Sequence, residues 1–451
     1  MDNALESSAP HQLMEPPIET AATSARRKPK VGLAQPVLGP WLRAQSVNVT
    51  RHAAALRPFK REEFGTGAAV PSEGHIQAVN KLIKSLRSGL LKMSSRVTSA
   101  AGAAKRDPQT AMLSEVVRRK DHAHAWVQGI EKIWDFYFEL FGQRQSNYAE
   151  WLLSCDRIAL DCYQAAYTGL GKARTIPAPP PFCYMRTGFA PATFRRGIPL
   201  TRLGKQINPF PLVQLPYHRL VNPWTLGALL HETSHNLQSD LGLSRDVPRS
   251  IARALLAAKM PRSVVGIWTR WNREMFADMS ALLLGGPDVV ASLMDVVGRA
   301  PAAVFAYSRR APHPTPYLRT LISVELLRRM GFAEQAEIYQ RAWIRIYPRP
   351  TADVMPAALL KTFPTACRIA VDAMCFKPYA SLGNKRFADV IRFGQKEQRM
   401  TEEAAVRLAA GTDPGIIPAR FLVGAARIAM DRKLARPGVI AQKFYLELAR
   451  R

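Results

Sequence analysis

Acidic residues are scarce in this chain: 35 Asp and Glu stand against 63 Lys and Arg over 451 residues, a formal net charge of +28. Such an excess favours anionic partners through long-range attraction. No recognised nucleic-acid-binding motif accompanies it, so arginines spread over a solvated surface are the simpler reading. An anionic partner, nucleic acid or lipid, is the alternative. Cysteine is equally sparse, with five residues, Cys155, Cys162, Cys183, Cys367 and Cys375. The number is odd and no C-x-x-C pair occurs, which excludes a disulfide framework or a cysteine zinc site. Free, mostly buried thiols in a reducing compartment are expected. Long apolar runs are missing too. The best stretches, near 281–284 and 289–297, are broken by Gly285, Gly286, Pro287 and Asp288, well short of the about 20 residues that span a bilayer. Met1 to Thr20 carries acids and prolines but no basic start followed by an apolar stretch, so no ordinary secretory signal is expected. The expectation is a soluble, cytoplasmic protein without a transmembrane segment.

What is present reads as four regions. Residues 1–70 are rich in Pro, Ala, Ser and Thr, with a small basic cluster at Arg26, Arg27, Lys28 and Lys30, and are expected to be a disordered basic tail. Residues 71–180 read as an N-terminal helical region. Ile76, Val79, Leu82, Ile83, Leu86, Leu90, Met93 and Val97 recur at helical spacing. Lys81, Lys84, Arg87, Lys92 and Arg96 decorate that segment, and a basic amphipathic helix can grip an anionic surface or simply pack its apolar side. The run Pro177 to Pro181 is a stiff break. After it, 182–186, 193–198 and 210–215 have strand character, and prolines 209, 211 and 216 would confine the last to a sheet edge. Residues 181–332 are the expected catalytic domain and 333–451 a C-terminal helical region. The fold class is mainly α with a small sheet, an α+β protein.

The segment from Asn222 to Gly242 contains His231-Glu232-Thr233-Ser234-His235. Asn222 suits an N-cap, Pro223 the first helical position, and Gly242 the left-handed residue after the last turn. Histidines four apart on a helix face the same way and can reach one zinc ion. Glu232 stands next to the first of them, placed to handle a water proton. A catalytic zinc needs a third protein ligand. Downstream, Glu274 and Asp278 share one face of an apolar helical segment. Buried acids need partners: zinc for Glu274, and the second N–H of a ligand histidine for Asp278. Asp240, Asp246 and Glu325 are the other third-ligand choices.

H-E-x-x-H followed by E-x-x-x-D resembles the gluzincin metallopeptidases. Glu274-Met275-Phe276-Ala277-Asp278 resembles the E-x-x-A-D box of the prenyl-peptide protease and HtpX-like group. The thermolysin-type box has Ser where this chain has Ala277, and the membrane enzymes have spanning helices that this chain lacks. The resemblance covers roughly 218–319. It implies a zincin-like core, one zinc on His231, His235 and Glu274, and Glu232 as general base. Some of these peptidases also carry a His-Pro followed by an Arg. By that position His313 and Arg319 would act at the site, with His313 or Tyr317 binding the oxyanion. In these enzymes an edge strand near the zinc pairs with substrate, which points to Tyr217 and His218 as substrate contacts. The expected activity is zinc-dependent hydrolysis of a peptide bond in a protein or peptide substrate. The competing reading is a basic, non-enzymatic zinc-binding adaptor or nucleic-acid-binding protein.

Overall fold

In the computed structural model, which describes residues 35–171, 175–188, 190–199 and 206–451, a helix α1 (Gln35–Ala55) lies inside the stretch expected to be disordered. That expectation is corrected for this part of the chain. Leu38, Leu42, Gln45, Val49, Ala53 and Leu56 recur every three or four residues, and all are buried or partly buried. The Ala, Ser and Thr around them mask a stripe that is helical in period. Phe59 and Phe64 follow, buried among aromatic rings. Residues 1–34, with the Arg26–Lys30 cluster, lie outside the described residues.

Ser72 caps the next helix, α2 (Glu73–Arg106), by accepting a hydrogen bond from the His75 amide. It runs beside α1 and α3 (Thr110–Gly142). The expected apolar stripe of α2 points into this bundle: Val79, Ile83, Leu90 and Val97 are fully buried. Its apolar side is therefore covered by protein, while Lys81, Lys84, Lys92 and Arg96 stay exposed. The arm has its own small cores, one built on Val49, Ala53, Leu90, Val97, Ala123, Val127 and Ile130.

Helix α4 (Ala149–Leu170) belongs to the main body. One apolar cluster runs from Leu152 to Leu448. The boundaries expected near 180 and 332 are therefore not boundaries of packing. Three short strands follow, β1 (Phe182–Met185), β2 (Ala192–Phe194) and β3 (Leu212–Leu215). Their order is β1-β3-β2, with β1 parallel and β2 antiparallel to β3. The expected edge strand is thus central. Pro209, Pro211 and Pro216 all fall outside the paired residues 212–215, so none removes a ladder donor.

Helix α5 (Tyr217–Val221) and a single 3-10 turn (Pro223–Thr225) lead into α6 (Gly227–Asp240). Asn222 is not the cap of α6. Its amide donates to the His218 carbonyl and its own carbonyl accepts from Thr225, which closes the turn instead. Gly242 does take the left-handed conformation, at φ +75°. After α7 (Asp246–Ala257) and α8 (Arg262–Arg270) comes α9 (Asn272–Gly285), packed along α6. The approach is close: a Cβ on Gly285 would sit 2.7 Å from Leu230 Cδ1. Helices α10 (Asp288–Val297) and α12 (Pro316–Arg329), joined through the short α11 (Pro301–Val304), complete the surroundings of this pair. The rest is mostly helical: α13 (Ala333–Ile346), α14 (Ala357–Val371), α15 (Phe387–Val390), α16 (Gln395–Ala410), α17 (Phe421–Asp431) and α18 (Pro437–Arg450), with a two-stranded antiparallel pair, β4 (Pro378–Tyr379) and β5 (Lys385–Arg386), between α14 and α15. Helix α17 packs on α9 and α18 on α4, so the C-terminal region closes the main core. All five cysteines are free and buried. Among the described residues no helix is long and apolar enough to cross a membrane. Among the described residues the chain is mainly helical, with a small mixed sheet and a two-stranded pair.

Candidate metal centre

Helices α6 and α9 run antiparallel. Leu230, near the start of α6, lies against Gly285 at the end of α9, and Gln238, near the end of α6, reaches Asn272 at the start of α9. This alignment sets the two H-E-x-x-H histidines opposite the two acids. His231 and His235 stand one turn apart, as their spacing requires. Glu274 and Asp278 answer them one turn apart on the facing helix. His231 Nε2 lies 3.1 Å from His235 Nε2 and 3.3 Å from Glu274 Oε2, and His235 Nε2 lies 3.5 Å from Glu274 Oε1. These three residues form the one group among the described residues that could hold a metal ion.

The donors are of a kind that could hold a metal ion. Atoms bound to one tetrahedral metal at about 2.0–2.1 Å lie roughly 3.3–3.4 Å apart; the two imidazole nitrogens come near that value, and the two Glu274 contacts are made by different carboxylate oxygens. The tautomer fits as well. His231 Nδ1 donates to Asp278 Oδ1 at 2.7 Å, which leaves the Nε2 lone pair facing the other two donors. The groups also shift one another's titration. Burial works against a charged His231, yet the Asp278 carboxylate beside it raises this imidazole well above its usual value. Burial and the neighbouring His231 charge lower His235. Burial likewise opposes ionisation of Glu274, but its bond to His231 and the His231 charge hold it well below the usual carboxylate range.

Asp278 is where it was expected, behind His231. Arg319 lines the same cavity, and its shortest hydrogen bonds go to Asp278. Its Nε donates to Asp278 Oδ2 at 2.5 Å and its Nη2 to Asp278 Oδ1 at 2.8 Å, with Glu274 Oε2 at 3.7 Å. The guanidinium therefore steadies the carboxylate that steadies His231. Burial would raise the Asp278 carboxyl, but Arg319 and His231 keep it ionised. His313 does reach the centre. Its loop, held between Pro312 and Pro314, puts Nε2 3.3 Å from Glu274 Oε2 with the side chain half exposed. Tyr317 turns away, buried against Phe305, and its carbonyl accepts from Trp343.

These groups line a cavity of about 430 Å³ together with Glu232. Glu232 is almost wholly buried, and that burial pushes its carboxyl up to about 7. Tyr217 and His218 do not line the cavity. Tyr217 is exposed, meets Tyr148 edge-on and stacks with Trp151. The strand at the cavity is β2, through Ala192 and Thr193, because β3 is central and β2 marginal. Asn236, on the helix of the histidines, donates to Thr193 Oγ1 at 2.6 Å and fixes the strand there. Arg195 and Arg273 also line the cavity, and nothing in the local sequence marked them. The other third-ligand choices stand elsewhere: Asp240 accepts from the Tyr163 hydroxyl and Glu325 pairs with Arg328, while Asp246 opens α7.

Comparison with protein-family models, curated proteins and solved structures finds no match to this chain.

Proposed function

We propose that this chain is a zinc-dependent metallopeptidase of the gluzincin kind. One observation supports the reading: His231, His235 and Glu274 each offer a donor atom within 4.8 Å of the others, on the wall of an accessible cavity. Two imidazoles and a carboxylate are a donor set that zinc accepts. Three protein donors opening on a cavity favour catalysis over a closed structural site, which takes four. This argues against the adaptor reading. The chemistry that zinc supplies in such a set is polarisation of a carbonyl and activation of water.

The chain's own groups do the rest. Glu232, buried at the cavity wall with its carboxyl raised to about 7, is suited to take the proton of the attacking water and hand it to the leaving nitrogen. His313 offers a ring N–H at the mouth of the site, where negative charge develops on the carbonyl oxygen. Asp278 and Arg319 hold the His231 ring in place from behind. The marginal strand β2, through residues 192 and 193, offers main-chain groups to an extended substrate. The test is metal analysis of purified protein alongside a cleavage screen of wild type against Glu232→Gln. One zinc per chain and cleavage lost in the variant support the proposal. A metal-free protein, or cleavage equal in both, ends it.

A further inference from the structure

The antiparallel α6 and α9 give the cavity two unlike ends. Moving from the metal donors toward the start of α6 and the end of α9, the wall is apolar: Ala281 and Leu282, with Val290 and Leu293 from α10. Moving the other way, toward the end of α6 and the start of α9, the wall is Gln238, Arg195 and Arg273. Arg195 follows directly on β2, and Arg273 directly precedes Glu274. Both side chains line the cavity, and the Arg273 charge joins burial, the larger cause, in lowering Arg195.

Neither side chain has an acid partner among the described residues. Arg319 in the same cavity is bound to Asp278 and Glu274, and the partly buried Arg144, Arg420 and Arg427 pair with Asp156, Asp161 and Asp295, while Arg157, Arg196 and Arg219 make no ion pair among the described residues and Arg273 is itself exposed. No ion pair or side-chain hydrogen bond is made by Arg195 or Arg273 among the described residues. Two like charges lining one end of a cavity, with no counter-charge among the described residues, repel each other. The arrangement becomes favourable when an anion bridges them, since guanidinium groups bind carboxylates through paired, charge-assisted hydrogen bonds.

We propose that Arg195 and Arg273 form a carboxylate-binding subsite, so that the preferred substrate is a peptide carrying a carboxylate on one side of the scissile bond and an apolar side chain on the other. This rests on the metallopeptidase reading for the word substrate, but the anion site itself does not. The carboxylate has two sources, an acidic side chain or a free C-terminus, and the first makes an endopeptidase where the second makes a carboxypeptidase.

Three probes separate them: N-acetyl-Leu-Glu-amide, N-acetyl-Leu-Gln with a free C-terminus, and N-acetyl-Leu-Gln-amide. Binding is measured by calorimetry on the full chain, and kcat/KM on the zinc-loaded protein, for wild type, Arg195→Gln, Arg273→Gln and the double variant. One of the two carboxylate probes should bind at least about 10-fold more tightly than the neutral one. The ratio of acidic to neutral affinity should fall about 10-fold in Arg195→Gln, less in the more exposed Arg273→Gln, and to about one in the double variant. The kcat/KM ratio should follow through KM. Binding that is lost in the double variant, with no cleavage of any probe, would keep the anion site and overturn the peptidase reading. Equal binding of all three probes to wild type, or a ratio unchanged in the double variant, would overturn the carboxylate subsite whatever the activity.

Discussion

The crossing of α6 and α9 and the arm made by α1, α2 and α3 are both helix packings, yet they use charge in opposite ways. At the crossing, His231, Glu274, Asp278 and Arg319 are largely buried, and each has at least one charged partner. Removing one member leaves another charge buried and unpaired, which is costly. In the arm the charges are exposed. Glu115, for example, bridges Arg118 and Arg119 on one helix surface, and such pairs contribute little. The stability of the arm comes from a thin apolar seam. Function needs the first arrangement, because only a buried, mutually oriented set of donors can hold a cation in a defined geometry.

The comparison breaks first at the ligands. His235→Ala and Glu274→Ala are each expected to strip most of the metal and all of the turnover, an effect larger than the about 10–100-fold typical of an outer partner. Atomic absorption on the purified variants measures it. A Glu274→Ala protein that keeps its metal would remove Glu274 from the donor set. Next comes Glu232→Gln, expected to retain metal and fold while turnover drops at least about 100-fold. Loss of metal in that variant would mean that Glu232 is a ligand.

How much of this was legible beforehand follows from the range of each interaction. The 231/235 and 274/278 pairs are spacings within a single helix, and such spacings fix a shared face without knowledge of the fold. The same logic marked the buried stripe of α2. Relations between elements were another matter. Arg319 could be placed near the site but not on Asp278, since that depends on how α12 meets α9. Tyr217 and His218 were chosen because 210–215 looked like an edge, whereas the sheet order puts β2 at the margin. Strand order is a nonlocal property, and the flanking prolines were silent about it once they lay outside the ladder. In α1 the fault was different. Composition outweighed a period that was already there.

Outer-partner variants sharpen the comparison. Asp278→Asn should lower metal affinity about 10–100-fold while the fold persists, as read by zinc titration against a competing chelator. Unchanged affinity would detach Asp278 from His231. Arg319→Met takes both guanidinium bonds from Asp278. It should destabilise the protein by about 3–5 kcal/mol, toward the lower figure because His231 Nδ1 still donates to that carboxylate. Urea denaturation checks it, and a loss below about 1 kcal/mol would place the pair with the surface salt bridges.

The smallest effect is expected from the arm. Ile130 sits almost fully buried in the seam with Val49, Leu90, Val97 and Val127, and Ile130→Val removes one methyl group there. The cost should be about 1 kcal/mol. The seam is a cluster separate from the one that surrounds the metal donors, so sites this far apart should contribute independently. Zinc content and turnover should therefore match wild type even as the denaturation midpoint falls. The decisive measurement is the double variant Ile130→Val with Asp278→Asn. Additive stability changes and a metal affinity equal to that of Asp278→Asn alone are the expected result. A further loss of affinity in the double variant would mean that the arm transmits strain to α6 and α9, through β1 and β3, whose Phe182 and Leu212 pack against the aromatic rings of α3. The two regions would then be one mechanical unit, and the contrast between them would hold for charge but not for stability.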